Sequence, residues 1–205
     1  MPWSDYHPDM TLSDQSKANL PNQLTVLRLV LSAAFFVLLS VTVARWALGV
    51  GIVLFVVAAL TDALDGYLAR KWKVESTFGR IVDPFADKVL VLGALIMLCG
   101  ASLPGSGVVP WMVVVMLTRE LLVTAIRGVV ESAGHQFGAN VWGKWKMILQ
   151  SIVVPAILLI LVFDPMPTGW LKHARDALVW ATLLATVFSG VPYITGAMKV
   201  LKPVK

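Results

Sequence analysis

The stretch Trp46–Ala69, WALGVGIVLFVVAALTDALDGYLA, decides the fold. It carries no charge until Asp62 and is long enough to cross a bilayer, which takes about 20 mostly apolar residues for about 30 Å of hydrocarbon. Its apolar residues are continuous rather than strictly alternating, so it reads as a helix and not a barrel strand. The whole chain agrees with this reading. Its 205 residues are 58% hydrophobic and 14% charged, with a mean hydropathy of +0.78, well outside the range of a soluble domain. The solvent it folds in is lipid.

Working outward, five further apolar runs lie at about Leu24–Val43, Ile81 to just before Gly100, Val108–Val130, Trp145–Phe163 and Ala177–Met198. The expected fold is therefore an all-α membrane protein, a six-transmembrane-helix bundle in one integral membrane domain over residues 1–205. Residues 1–20 are a polar lead-in and residues 21–205 the bundle. Leu12–Leu20 reads either as a short amphipathic surface helix that Pro21 breaks or as a disordered lead-in. The N-terminal residues lack the charged and apolar regions of a cleavable signal. Pro155 and Pro192 fall inside expected spans and are expected to kink them.

Basic residues set the orientation. With both termini cytoplasmic, Lys17, Arg70, Lys71, Lys73, Arg80, Lys144, Lys146, Lys199, Lys202 and Lys205 lie inside, and only Arg45, Lys172 and Arg175 outside. The net charge of +5 then marks cytoplasmic ends and contact with anionic membrane lipids, not nucleic acid. A single cysteine, Cys99, excludes a disulfide framework and a Cys-rich metal site. His7, His135 and His173 have no metal-ligand spacing, and Trp46, Trp111 and Trp170 near span ends read as interfacial anchors.

Four aspartates need a different explanation. A mid-span Asp costs about 2.5–3.5 kcal/mol on insertion scales, yet Asp62, Asp65, Asp83 and Asp87 fall within one short region. The first pair is three residues apart and the second four, so each pair projects from one helical face. A short basic loop joins the two helices, which should be antiparallel neighbours whose carboxylates converge. Carboxylates that close raise one another's pKa unless a cation intervenes. Oxygen ligands without His or Cys suit hard Mg²⁺, Mn²⁺ or Ca²⁺, and four carboxylates can clamp two ions. A proton or cation pathway through a transporter is the competing reading.

The residues between the aspartates favour the first. Asp62, Asp65, Gly66, Ala69, Arg70, Gly79, Asp83 and Asp87 have the spacing D-x2-D-G-x2-A-R-x8-G-x3-D-x3-D. By chance this would arise in such a chain with a probability on the order of 10⁻⁸. It closely resembles the motif of the CDP-alcohol phosphatidyltransferase family, whose members transfer a substituted phosphate from a CDP-linked donor to an alcohol and release CMP. The resemblance implies that Asp62, Asp65 and Asp83 hold metal, and that Asp87 both touches metal and acts as general base. Gly66, Ala69 and Gly79 leave room for the CDP-lipid to approach the backbone, although small residues also serve close helix packing. Arg70 can pair with a phosphate or anchor the helix at the headgroups.

Further segments suggest the acceptor. Asn19-Leu20-Pro21-Asn22-Gln23-Leu24-Thr25-Val26-Leu27-Arg28, Thr118-Arg119-Glu120-Leu121 with Arg127, and Gly143-Lys144-Trp145-Lys146 with Gln150 resemble segments of the family's bacterial phosphatidylglycerophosphate synthases. Met147 stands where those enzymes usually have threonine. This likeness implies CDP-diacylglycerol as donor and glycerol 3-phosphate as acceptor, with Mg²⁺ or Mn²⁺ as cofactor. It also implies a homodimer in the bacterial inner membrane with a cytoplasmic active site. Arg119, Arg127, Lys144 and Lys146 would bind the acceptor phosphate. Glu120, Thr124 and Arg127 share one stripe, which should face the bundle interior. Alternatively Arg127 pairs with Glu120 and the lysines anchor the helix. A cardiolipin synthase, which uses an acceptor with an uncharged headgroup, is the competing member of the family.

Overall fold

Lipid offers a backbone no hydrogen-bond partner, so each apolar run must satisfy its own amides. In the computed structural model, which describes residues 12–72, 77–132, 134 and 141–200, every such run is helical. The elements are α1 (Leu12–Val41), α2 (Arg45–Trp72), α3 (Thr77–Leu98), α4 (Pro110–Ser132), α5 (Val141–Phe163), α6 (Gly169–Phe188) and α7 (Val191–Val200). A single 3-10 turn, Pro104–Ser106, lies between α3 and α4.

Four stretches are long and apolar enough to cross a membrane: Asn22–Val41, Arg45–Tyr67, Trp145–Phe163 and Gly169–Met198. Only 28% to 39% of each apolar window is buried inside the protein. Most of that surface, including Val37, Val53 and Leu159, faces outward, as expected of an all-α membrane protein. The two long helices outside this set, α3 and α4, carry Asp83, Asp87, Lys88, Arg119, Glu120 and Arg127.

Two expectations are corrected. Pro21 does not break the N-terminal segment, since α1 continues through it. A proline removes one amide from the ladder, and the neighbouring bonds carry the helix across the gap. The sixth run is broken rather than kinked: α6 begins at Gly169, ends at Phe188, and turns through Ser189 and Gly190 into α7. Pro192 explains the break, because it has no N–H for the Phe188 carbonyl. As the second residue of α7 it costs that helix little. Pro155 lies inside an α5 that runs unbroken to Phe163.

A third finding bears on the site. α2 and α3 touch, as antiparallel neighbours should, but only slightly, and α1 packs extensively along both. Phe35 and Leu39 of α1, Phe55 and Ala58 of α2, and Leu90 and Leu95 of α3 are buried in this contact. Without a hydrophobic drive between helices in lipid, tight packing holds them, and small residues permit it. Gly93 is one of these, as a Cβ built there would lie 2.3 Å from Phe36 Cζ.

Gly93→Ala should therefore force Phe36 aside and cost about 1–3 kcal/mol, read as a lowered unfolding midpoint in detergent. Adding Phe36→Leu should restore much of the loss.

Candidate active site

α1 places a cation between the aspartate helices. Arg28 is completely buried, with its Nη1 2.6 Å from Asp62 Oδ1 and its Nη2 donating to Asp65 Oδ2. Its backbone carbonyl accepts from Ser32 Oγ at 2.7 Å. One turn earlier, the Thr25 hydroxyl donates to Asp83 Oδ1. Thus α1 links α2 and α3 through side chains as well as through packing. A buried carboxylate needs this, since an uncompensated charge in a low-dielectric interior is costly.

The aspartates differ in access. Asp65 is buried, while Asp62, Asp83 and Asp87 are partly open. Asp65 is close enough to interact electrostatically with Asp62 and Asp83, and Asp87 with Asp62, Lys146, Arg28 and Glu120. All four therefore belong to one electrostatic neighbourhood. Among the described residues, no three His, Cys, Asp or Glu side chains stand close enough to form a metal cage as they are placed. Asp62 and Asp65 instead turn to Arg28, and Asp83 to Thr25. The donor set itself fits a hard divalent ion in its chemistry, being all oxygen and strongly negative.

Gly66 sits on α2 beside Asp65, partly exposed. Ala69 and Arg70 follow within the same helix, and Gly79 lies inside the first turn of α3 rather than before it, because α3 starts at Thr77. Lys71 holds its ammonium 5.7 Å from the centre of the Tyr67 ring.

A second charged centre is built from α4 and α5. Glu120 is buried and accepts both Arg119 Nη1 at 3.0 Å and Lys146 Nζ at 2.6 Å. Gln150, one turn beyond Lys146, donates to Thr186 Oγ1 of α6 at 3.2 Å. The break after α6 passes next to this centre, with Gly190 packed close to the Arg119 side chain. Lys144 lies in the first turn of α5.

Arg127 does not join this group. Its side chain is 51% exposed, 3.8 Å from Glu131 and over the Tyr193 ring. The alternative pairing of Arg127 with Glu120 is therefore not found, and the stripe Glu120, Thr124, Arg127 is buried only at Glu120. Seven residues turn the helix through about 700°, about 20° short of two full turns, so Arg127 stays on the side of Glu120 but lies about 10 Å further along α4, where Glu131 and Tyr193 are its neighbours. His173 is exposed near the opposite end of the bundle. His7, His135, Lys73, Lys202 and Lys205 lie outside the described residues.

In the sequence Thr25 and Arg28 are legible only as parts of the segment that runs from Asn19 to Arg28. A lone arginine in an apolar run was the available signal, because such residues demand a partner. Arg28→Ala should leave Asp62 and Asp65 without their counter-ion and cost about 3 kcal/mol or more. Unfolding of the purified protein without divalent metal would read this loss, with Arg28→Lys losing less.

Comparison with known proteins identifies the family. The family model for CDP-alcohol phosphatidyltransferase matches residues 18–188. The chain is 36% identical over 199 residues to the CDP-diacylglycerol–glycerol-3-phosphate 3-phosphatidyltransferase of Bacillus subtilis (strain 168), covering 90% of this chain and 97% of that protein. It is 34% identical over 179 residues to the Cereibacter sphaeroides enzyme of the same name, covering 84% and 76%. A probable phosphatidylglycerophosphate synthase of Mycobacterium tuberculosis is 37% identical over 191 residues, covering 89% and 83%. With its motif residues all inside the matched region and its aspartates gathered around α1, the chain belongs to the CDP-alcohol phosphatidyltransferase family.

Proposed function

We propose that this chain transfers the phosphatidyl group of CDP-diacylglycerol to sn-glycerol 3-phosphate, giving phosphatidylglycerol phosphate and CMP. The observation that carries this reading is that relatives named for that reaction match across 84% to 90% of the chain. The family is generally dependent on divalent metal. In this reading Asp62, Asp65, Asp83 and Asp87 hold Mg²⁺ or Mn²⁺, as two ions. Bound metal neutralises the pyrophosphate and the departing CMP.

The chain's own residues do the rest. Gly66, Ala69 and Gly79 admit the nucleotide close to the backbone, and Arg70 pairs with a donor phosphate. Arg119, Arg127, Lys144 and Lys146 attract and orient the acceptor phosphate. Asp87 removes the proton from the acceptor hydroxyl. That oxygen attacks the phosphorus bearing diacylglycerol, a new P–O bond forms, and the P–O bond to CMP breaks. No covalent enzyme intermediate is needed.

We further propose that α3 and α4 also cross the bilayer, giving six spans in one catalytic domain. Asp83, Asp87, Arg119 and Glu120 then face the bundle, and the exposed Arg127–Glu131 pair lies toward the end of α4. The site faces the cytoplasm at the bacterial inner membrane, and the enzyme works as a homodimer. One observation favours a different acceptor. Arg119 and Lys146 are both committed to Glu120, and Arg127 is turned toward Glu131, which leaves less free charge for a phosphate. A lipid acceptor such as phosphatidylglycerol, used by a cardiolipin synthase, would need less.

Purified protein supplied with CDP-diacylglycerol and Mg²⁺ or Mn²⁺ should release CMP only when glycerol 3-phosphate is added. Equal release with phosphatidylglycerol, serine or inositol phosphate would reject the assignment, and chelation should abolish release. Asp87→Asn should lower turnover by a factor of about 10²–10⁴ while donor binding survives. Loss of donor binding would instead place Asp87 in the donor site.

A further inference from the structure

Lys88 lies one residue beyond the aspartate motif, and its surroundings set it apart from the other cations of the site. It follows Asp87 directly on α3, and its ammonium reaches across to α4, where Nζ lies 2.6 Å from Thr124 Oγ1. The Thr124 hydroxyl has already given its proton to the Glu120 carbonyl, at 2.8 Å. It can therefore only accept from Lys88, and the contact holds the ammonium in one place.

The charge balance points to an anion. Among the described residues Arg28 is paired with Asp62 and Asp65, Arg119 and Lys146 with Glu120, and Arg127 with Glu131. Lys88 takes part in no such ion pair, and a neutral hydroxyl is its side-chain partner. An ammonium has three donors, and here one is used. Within a membrane-embedded bundle an uncompensated cation is unfavourable unless it meets water or an anion. Lys88 is partly exposed, so a solute can reach it. Its neighbour Asp87 is the group to which the acceptor hydroxyl is brought.

We propose that Lys88, held by Thr124, binds the phosphate monoester of the acceptor and so distinguishes a phosphorylated alcohol from a neutral one. This rests on the reading of the chain as a glycerol-3-phosphate transferase. It adds a cation on α3 to the recognition expected of α4 and α5. Thr124, the partner of Lys88, lies one turn beyond Glu120, whose carboxylate acts electrostatically on Asp87, so the anchored ammonium stands on the side of the site where α3 meets α4. Thr124 acts as a positioning residue, since it acts only through Lys88.

The test uses full-length protein in detergent with saturating CDP-diacylglycerol and varied glycerol 3-phosphate. Lys88→Gln should raise the KM for glycerol 3-phosphate about tenfold or more, as expected for losing a charge-assisted contact. The KM for CDP-diacylglycerol should stay within about twofold. Inhibition by inorganic phosphate should weaken in parallel, which gives an anion readout independent of turnover. Lys88→Arg should retain most of the affinity, and Thr124→Val should show a smaller rise in the same KM. If Lys88→Gln lowers kcat alone, or raises both KM values equally, the inference is overturned and Lys88 is structural. If Lys88→Gln does not fold, unchanged phosphate inhibition and unchanged KM in Thr124→Val overturn it instead. Failure of the wild-type protein to use glycerol 3-phosphate would be a separate result, against the proposed function itself.

Discussion

Everything at the site depends on how negative charge is held inside a protein whose solvent is hydrocarbon. Asp65 is buried with Asp62 close by, and negative charge gathered there is costly unless a cation is brought to it. Arg28 supplies it from a different helix. The guanidinium is well suited, since it is always charged and can serve two carboxylates through its separate nitrogens. This requirement places α1 between α2 and α3, and the packing of Phe35, Leu39, Phe55 and Leu90 follows from that placement.

The same solution recurs with the signs reversed. Glu120 is a buried anion that holds two cations, Arg119 from its own helix and Lys146 from α5. α4 and α5 are thereby joined at the level of the site, much as α1 and α2 are joined by Arg28. The two centres are not isolated, because Asp87 feels both Arg28 and Lys146 as well as Glu120. A change at either one should be felt at Asp87, which stands between them.

Much of this could be read from the amino-acid sequence, and the part that could not has a physical explanation. Long apolar runs in a lipid solvent have essentially one backbone solution, so the helices were legible to within a few residues at most of their ends. The break at Ser189–Gly190 was harder, because Pro192 marks the disturbance while the missing bond belongs to Phe188, four residues earlier. The aspartates stood out by number and spacing. Their partners did not: which helix lies between α2 and α3 is a matter of packing, and helix packing in lipid is governed by shape more than by residue type. Arg127 shows the converse. Its spacing placed it on the stripe of Glu120, but the face is wide enough for its exposed end to find Glu131 and Tyr193 instead.

The position of Arg28 also bears on how the chain enters the membrane. α1 is made before α2 and α3, so when its apolar segment Asn22–Val41 first reaches lipid, Arg28 has no carboxylate to meet. An arginine at mid-span costs about 2.5–3.5 kcal/mol on insertion scales, although near the helix end it can reach the interface. Arg28 lies early in that segment, where such an escape is open to it. Only when α2 delivers Asp62 and Asp65 can the arginine be drawn inward. α1 and α2 therefore form the natural unit of insertion, a helical hairpin closed by its own ion pairs. α3 then docks against a surface that already presents Thr25 to Asp83. The residues that organise the finished site thus also impose an order on its assembly.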